Sequence, residues 1–132
     1  TTGTTHSFSG GISASSTITP VAGSGVVGLL DGVPAISGRL DGPIGISYDM
    51  LGNLYIADNE NFRIRRVDAN TNTINTIAGN SLTPGVYSGD AGPAITAGLE
   101  GPTDVTVDMN GNIYIVGGTG STNQVIRKID FF

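Results

Sequence analysis

The chain has 132 residues, of which 38% are hydrophobic, with 21 glycines and no cysteine. This composition fits one domain of short strands and tight turns, and the lack of cysteine excludes disulfides and thiolate metal sites. The formal net charge of −5, with only 6 Lys and Arg residues, predicts no nucleic-acid partner, because affinity for phosphates comes largely from basic side chains. The sequence contains no apolar run of about 18 residues, so no membrane partner is predicted.

Residues 1–16 are rich in Ser, Thr and Gly, and they are predicted to form a tail or linker. An alternative is a degenerate strand, with Phe8 in the position that Ile64 takes later in the chain. The chain begins at Thr1 without a signal-like segment, so we expect it to be processed or cut from a longer protein. A surface rich in Thr, Ser and Asn with few lysines favours an extracellular location, secreted or at the cell surface.

Residues 17–22, TITPVA, alternate in polarity and are rich in β-branched side chains, which predicts an outer strand. Pro20 cannot donate a ladder hydrogen bond and restricts this strand to a sheet edge. Residues 23–42 follow as a long, glycine-rich loop that still carries several large apolar side chains. Such a loop is expected to pack against the sheet.

Residues 43–78 are predicted to form one four-stranded blade. Leu54, Tyr55, Ile56 and Ala57 form a continuous apolar run, which is typical of a strand buried on both faces. Antiparallel up-and-down strands with both faces covered describe a blade of a β-propeller. The predicted strands are residues 44–48, 54–57, 63–67 and 73–78.

The chain then repeats this pattern. GPIGISYDMLGNLYI at residues 42–56 returns as GPTDVTVDMNGNIYI at residues 101–115, with eight of fifteen positions identical. A second blade is therefore predicted at residues 102–130, and it stops one strand short. Three further pairs of segments match: residues 16–23 with 72–79, residues 32–42 with 91–101, and residues 61–68 with 123–130.

About two blades cannot close a propeller ring, and each end would expose an apolar face. The predicted partners are therefore other copies of the chain or further blades of the same polypeptide. Residues 17–22 are expected to pair beside the last strand of a neighbouring copy. A ring of three chains, a filament and a longer polypeptide all remain open as arrangements.

The pattern GPxGIxxDxxGNLYIADxxNxRIRxVD, followed by a TIxTIAG strand, resembles the NHL repeat over residues 17–130. The resemblance implies an all-β fold of NHL-type β-propeller blades, in a family whose propellers are usually six-bladed. One departure is that Asp58 of the first copy is replaced by Gly117 in the second, with a longer turn at residues 117–123. The resemblance therefore implies a looser loop in the second blade.

Members of this family serve as binding platforms, scaffolds and, in a few relatives, enzymes, so the resemblance does not fix an activity. The favoured hypothesis is a non-enzymatic structural or interaction module of an extracellular protein or assembly, a propeller or filament subunit with glycan or protein ligands. The alternative is part of a lactonase- or lyase-like propeller enzyme with a channel metal. No catalytic, cofactor-binding or metal-ligating residue is predicted, and no cofactor.

Three features of the sequence are candidates for a metal site, and none of them is favoured. Asp104 replaces Gly45 at the start of an innermost strand, where gluconolactonase-like propellers place metal ligands, but no Glu or His accompanies it in the sequence. His6 is the single histidine, and we expect it to be solvated. The DMLGN and DMNGN segments lack the ligand set of a calcium loop, so hairpin turns are favoured.

The basic residues of the third strands are expected to form surface ion pairs that add little stability. They are Arg63, Arg65, Arg66, Arg127 and Lys128.

Tyr55 and Tyr114 occupy equivalent positions, and both are predicted to be buried with a partner for each hydroxyl. The three longest connections, residues 23–42, 79–101 and 117–123, are predicted to share one face, which is the candidate for binding.

Overall fold

The structure is a computed structural model, and it describes residues 11–80, 82–118 and 124–131. Over these residues the fold is all-β, as predicted, with antiparallel sheets and short 3-10 turns only. The strands are β1 (Val33–Pro34), β2 (Pro43–Tyr48), β3 (Leu54–Asp58), β4 (Arg63–Val67), β5 (Thr73–Ala78), β6 (Asp104–Val107), β7 (Ile113–Val116) and β8 (Ile126–Ile129).

The first sheet has the strand order β1-β5-β4-β3-β2. Its four long strands follow one another up and down, as expected for a blade, and β1 adds a two-residue edge outside β5. Between Tyr48 and Leu54 the chain reverses through the DMLGN turn. The strand positions therefore agree with those predicted for residues 43–78.

The second sheet has the order β6-β7-β8 and repeats β2, β3 and β4. Its innermost strand β6 packs against β2 and β3 of the first sheet. The inner strands approach so closely that a Cβ on Gly45 would lie 2.7 Å from the Cα of Asp104. A glycine is therefore required where the two blades meet.

The hydrophobic core has two parts, one on each face of β3. Tyr55 and Ala57 face the second sheet and pack with buried residues of β6 and β7. Leu54 and Ile56 face the opposite way, against Ala35 of the loop at residues 23–42. The continuous apolar run of this strand thus reflects burial on both faces, as its sequence predicted.

Residues 17–22 were predicted to be an outer strand, but in this chain on its own they are not one. They pair with none of the described strands, and the Ile18 side chain is 98% exposed. The edge beside β5 is occupied by β1 instead. A strand needs a neighbour for its backbone hydrogen bonds, and the described residues offer none at this place.

Within the described ranges no helix is long and apolar enough to cross a membrane. The greater part of the tail predicted at residues 1–16, and residues 119–123 of the turn predicted at 117–123, lie outside the described residues.

Candidate binding surface and blade faces

The long connections lie at one end of the two sheets, as predicted. Asn61 Nδ2 donates to the carbonyl oxygen of Gly28 (2.8 Å), which joins the first loop to the turn between β3 and β4. The N–H of Gly118 donates to the carbonyl oxygen of Glu100 (2.9 Å), which joins the second loop to the described start of the third. This end, called the loop face below, carries residues 23–42, 79–101 and 117–118.

Arg65 holds the first loop in place, and it is fully buried rather than on the surface as predicted. It is the cross-strand partner of Ile56, so its side chain points to the loop side of the blade. One guanidinium nitrogen donates to the carbonyl oxygen of Arg39 (2.8 Å), and another donates to that of Leu30 (2.7 Å) and to Asp31 Oδ1 (2.9 Å). This side chain therefore fixes the loop at three points.

Asp58 is the buried counter-charge of Arg65. Its Oδ2 accepts from Arg65 (2.8 Å) and from Asn61 Nδ2 (2.7 Å), while its Oδ1 accepts from the N–H of Asp41 (2.8 Å). Neither side chain of the ion pair is exposed to solvent. A buried charge is stable only when it is paired and hydrogen-bonded, and this one satisfies both conditions.

Arg127 is the equivalent residue of the second blade, and it anchors the second loop. It donates to the carbonyl oxygens of Gly98 (2.8 Å) and Ser88 (2.9 Å). It also pairs with Asp90 (2.8 Å) and lies 4.5 Å from the ring centroid of Tyr87. The hydrogen bond from Tyr87 and the charge of Arg127 hold the pKa of Asp90 below its ordinary value.

Within the described residues the second anchor has no counterpart of the buried Asp58, because Gly117 stands at that position. The Arg127 side chain remains 15% exposed, whereas that of Arg65 is 0% exposed. The sequence did carry a signal for both anchors. Each blade places an arginine in its third strand and an aspartate, Asp31 or Asp90, at the same point of the preceding loop.

The remaining basic residues of the third strands lie closer to solvent. Arg66 pairs with Asp68 (3.2 Å) and Lys128 with Asp130 (2.5 Å), which agrees with the predicted surface ion pairs. Arg63 instead donates to the carbonyl oxygen of Asn61 and to the side chain of Asn80.

The DMLGN turn is a hairpin turn, as favoured, and its carboxylate binds its own turn. Asp49 accepts hydrogen bonds from the backbone and side chain of Asn53 and from the backbone N–H of Leu51. Partial burial raises the pKa of Asp49, but these bonds and the Tyr55 hydroxyl outweigh it and hold the pKa below its ordinary value.

The DMNGN turn repeats this arrangement around Asp108. Its oxygens accept from the backbone N–H and side chain of Asn112 and from the backbone N–H of Asn110. The side-chain hydrogen bond from Asn112 is the main cause that lowers the pKa of Asp108. Both turn carboxylates are thus occupied by donors of their own hairpin.

Tyr55 and Tyr114 differ in burial although they are equivalent. Tyr55 is 7% exposed and its hydroxyl donates to Asp49 Oδ2 (3.0 Å), as predicted. Tyr114 finds the predicted partner in Asp108 (3.2 Å), but it is only half-buried. The reason is that Tyr55 faces the second sheet, whereas Tyr114 faces away from the first.

Asp104 is exposed beside the close contact of the inner strands, and its Oδ1 accepts from the N–H of Val105 (2.8 Å). In the described part of the chain, no three His, Cys, Asp or Glu side chains lie close enough together to hold a metal ion. His6 lies outside the described residues.

Both ends of the two-blade unit expose an apolar face. On β6, Val105 is 2% exposed against the first sheet, whereas its counterpart Ile46 on β2 is 61% exposed. On β4, Ile64 is buried against the second sheet, whereas its counterpart Ile126 on β8 is 64% exposed. The chain thus forms one blade-to-blade interface internally. The equivalents of its two surfaces are exposed at opposite ends of the two-blade unit.

An open groove of about 680 Å³ lies between β8 and the loop segment at residues 89–97. Its apolar lining includes Ala94, Ile115 and Ile129. In the first sheet, β5 occupies the corresponding place between β4 and β1. The groove therefore marks the position of a fourth strand of the second blade.

Comparisons with known proteins agree with this architecture. A family model described as "NHL repeat" matches residues 40–67. The chain is 33% identical over 105 residues, 78% of its length, to NHL repeat-containing protein 2 of Bos taurus, and 36% identical over 91 residues, 61% of its length, to Teneurin-3 of Danio rerio. It spans 14% and 3% of the lengths of these relatives, respectively.

A solved structure is also similar. It is a structural genomics protein of unknown function from Bacteroides thetaiotaomicron, with a TM-score of 0.68 and 27% sequence identity. The match covers 81% of this chain and 26% of that one.

Proposed function

The chain belongs to the NHL-repeat β-propeller family, and from that premise we propose that it is a non-enzymatic structural and interaction module. In this proposal it is a propeller or filament subunit of an extracellular protein or assembly. Its apolar blade faces bind further blades, from other copies or from the same polypeptide. Its loop face is the surface that takes glycan or protein ligands.

The observation that carries the proposal concerns the interface between the two blades. It forms once inside the chain, and the equivalent apolar surfaces are exposed at both ends. The internal interface buries Val105 and Ile64, while Ile46 and Ile126 present the same type of surface to solvent. Each exposed half thus matches a surface that already binds a blade within this molecule. Exposed apolar patches of this kind commonly mark association sites.

Light scattering of the purified 132-residue chain tests the assembly. We expect assemblies larger than a monomer, and we expect Ile46→Asp to disrupt them because it places a charge on an apolar face. Met50→Asp is the matched control, since Met50 is 75% exposed in a turn at the opposite end from the loops. A folded, monodisperse wild-type monomer would overturn the proposal.

Ligand binding at the loop face is tested with single substitutions of exposed residues, and not by exchanging whole loops. The second loop contributes Ala97 and Leu99 to the core, so grafting a short turn in its place would unfold the blade. Val27 and Val86 are 69% and 53% exposed on two different loops. The wild type and the variants are compared for binding to a glycan array. Loss of binding in Val27→Asp and Val86→Asp, with binding kept in Met50→Asp, would support a ligand site on the loop face. Binding that survives both loop variants would exclude this face.

The extracellular location is proposed from composition, because Lys and Arg together number only 6 of 132 residues and the sequence is rich in Ser, Thr and Asn. Protease treatment of intact source cells should remove the protein while a cytoplasmic marker survives. Full protection of the protein would contradict this location.

The enzyme alternative is tested by metal analysis of the purified chain. A stoichiometric ion that is lost in Asp104→Asn would favour a channel-metal site over the proposal made above. We expect no difference in metal content between the wild type and this variant.

A further inference from the structure

We propose that the groove beside β8 receives residues 17–22 of a second copy of this chain as the fourth strand of its second blade. The proposal rests on assembly through the blade faces and names the segment that joins one copy to the next. Three features support it: the sequence of this segment, the way in which it leaves the loop, and the shape of the groove.

The sequence of the segment matches that of a fourth strand. STITPVAG at residues 16–23 aligns with NTINTIAG at residues 72–79, which contains the fourth strand β5 of the first blade. Ile18 thus corresponds to Ile74. Ile74 is fully buried, whereas Ile18 is 98% exposed. The segment has the composition of a fourth strand but pairs with none of the strands that the structure describes.

The backbone after the segment matches the backbone after β5. Gly23 and Gly79 have φ values of +92° and +93°, a region that favours glycine. The N–H of Gly23 donates to the carbonyl oxygen of Ala35 (2.9 Å), and the N–H of Gly79 donates to that of the equivalent Ala94 (3.1 Å). Residues 17–22 therefore enter their loop as a fourth strand of a preceding blade does.

The groove offers what such a strand needs. In the first blade, Ile74 is the register partner of Val67 on one side and of Val33 on the other. It packs in a cluster with Ala35 and Ile56. The second blade has Ile129, Ala94 and Ile115 at the positions of Val67, Ala35 and Ile56, and all three line the groove.

Pro20 fits the proposed position although it lacks an N–H. It corresponds to Thr76 of β5. The carbonyl oxygen of Ile74 accepts from Gly32 on the outer side of β5, and alternate residues of a strand direct their backbone groups to the same side. The N–H at the position of Thr76 therefore faces away from the third strand, and proline there removes no bond between those strands.

A complementation experiment tests the exchange in the full chain. Ile18→Asp removes the donor, and Ala94→Arg fills the groove and removes the acceptor. Thr19→Asp is the control, because the equivalent Asn75 is exposed on β5. We expect light scattering to show monomers for each of the first two variants and wild-type assembly for the control. A mixture of the two monomeric variants is expected to form heterodimers, which also shows that both fold.

The register is tested by disulfide formation, with no background because the chain has no cysteine. Asn75 and Arg66 are register partners in the first blade, which predicts that Thr19 lies opposite Lys128 of the neighbouring copy. The double variant Thr19→Cys/Lys128→Cys is expected to form intermolecular disulfides under mild oxidation. Thr17→Cys/Lys128→Cys, shifted by two residues, is expected to form far fewer.

The outcomes separate this proposal from the proposed function. Assembly that survives Ile18→Asp, together with no disulfide at the predicted register, would overturn the strand exchange, and the groove would then belong to another segment or protein. Assembly through the blade faces would still stand in that case. A wild-type chain that remains monomeric would overturn both.

Discussion

The buried ion pair between Arg65 and Asp58 gives the sharpest stability prediction. Replacing Arg65 with methionine keeps most of the side-chain volume but leaves the carboxylate of Asp58 buried without its counter-charge. It also removes donors from the carbonyl oxygens of Leu30 and Arg39, which hold the first loop. Removing one partner of a buried pair costs about 3–5 kcal/mol, and we expect Arg65→Met to lower the free energy of unfolding by this amount.

The second blade provides an internal comparison. Gly117 replaces the buried aspartate, so in the part of the chain that the structure describes Arg127 has no buried carboxylate beside it. Arg127→Met loses hydrogen bonds to two carbonyl oxygens and the ion pair with the exposed Asp90, but it leaves no buried charge unpaired. Its expected cost is therefore about 1–3 kcal/mol. Arg66→Met serves as the surface control with an expected cost of about 0–1 kcal/mol, since both partners of its ion pair are partly exposed.

Urea unfolding followed by far-UV circular dichroism measures these differences. All variants are compared at one protein concentration, because assembly makes apparent stability depend on concentration. The variant Asp58→Asn/Arg65→Met should cost less than the sum of its two single changes, because it leaves no unpaired charge. Equal costs for Arg65→Met and Arg127→Met, or strict additivity in the double variant, would refute this reasoning.

Three further outcomes are expected. Gly117→Asp should raise the free energy of unfolding by about 0.5–1.5 kcal/mol, because it restores the position from which Asp58 pairs with Arg65 in the first blade. A Cβ at Gly117 meets only Pro102 Cα at 3.7 Å and Glu100 O at 4.0 Å, so the side chain has room; a lower urea midpoint would contradict this. Tyr55→Ala should cost about 3–5 kcal/mol as a core truncation, and Tyr114→Ala clearly less, since that ring is half-buried; equal urea midpoints would show that the second ring is covered in solution. The pKa values of Asp49 and Asp108 are lowered in the folded state, so their contribution is present above the unfolded pKa of about 3.9 and is lost as pH falls through the folded values. The thermal unfolding midpoint of the wild type should therefore decrease as the pH is lowered below about 4. This decrease should be less steep in the double variant Asp49→Asn/Asp108→Asn.

Most of the fold could be predicted from the sequence, because each strand of the blades has a recognisable pattern of apolar and β-branched residues in its own segment. The apolar run beginning at Leu54 requires two covered faces, and the repeat supplies the second sheet. The segment at residues 17–22 shows the limit of this reasoning. Its side chains have strand character, but strand pairing depends on a neighbour, and propensity alone does not create one.

The repeated Arg and Asp positions mark the two loop anchors, but the burial of Arg65 could not be predicted from the charges of its own strand. Arg65 stands between Ile64 and Arg66 in a basic stretch, which is typical of a solvated strand. Its burial depends on Asp58 and on two carbonyl oxygens of a loop more than twenty residues earlier, and these meet it only in the folded blade. The half-buried state of Tyr114 likewise depends on what covers the far side of the second sheet.

The differences between the two blades concern one region of the molecule. Among the described residues, the second blade has neither a buried carboxylate nor a fourth strand beside Arg127. In the first blade the position of Thr76 is the register partner of Arg65, so a strand in the groove would lie beside Arg127 and cover its remaining exposure. Its bonds to Gly98 and Ser88 would then act in a drier environment, where charge interactions are stronger. Filling the groove would thus stabilise the loop at residues 79–101, and by linkage an ordered loop would favour filling of the groove. Assembly and the order of the loop face are in this way two consequences of the same contact.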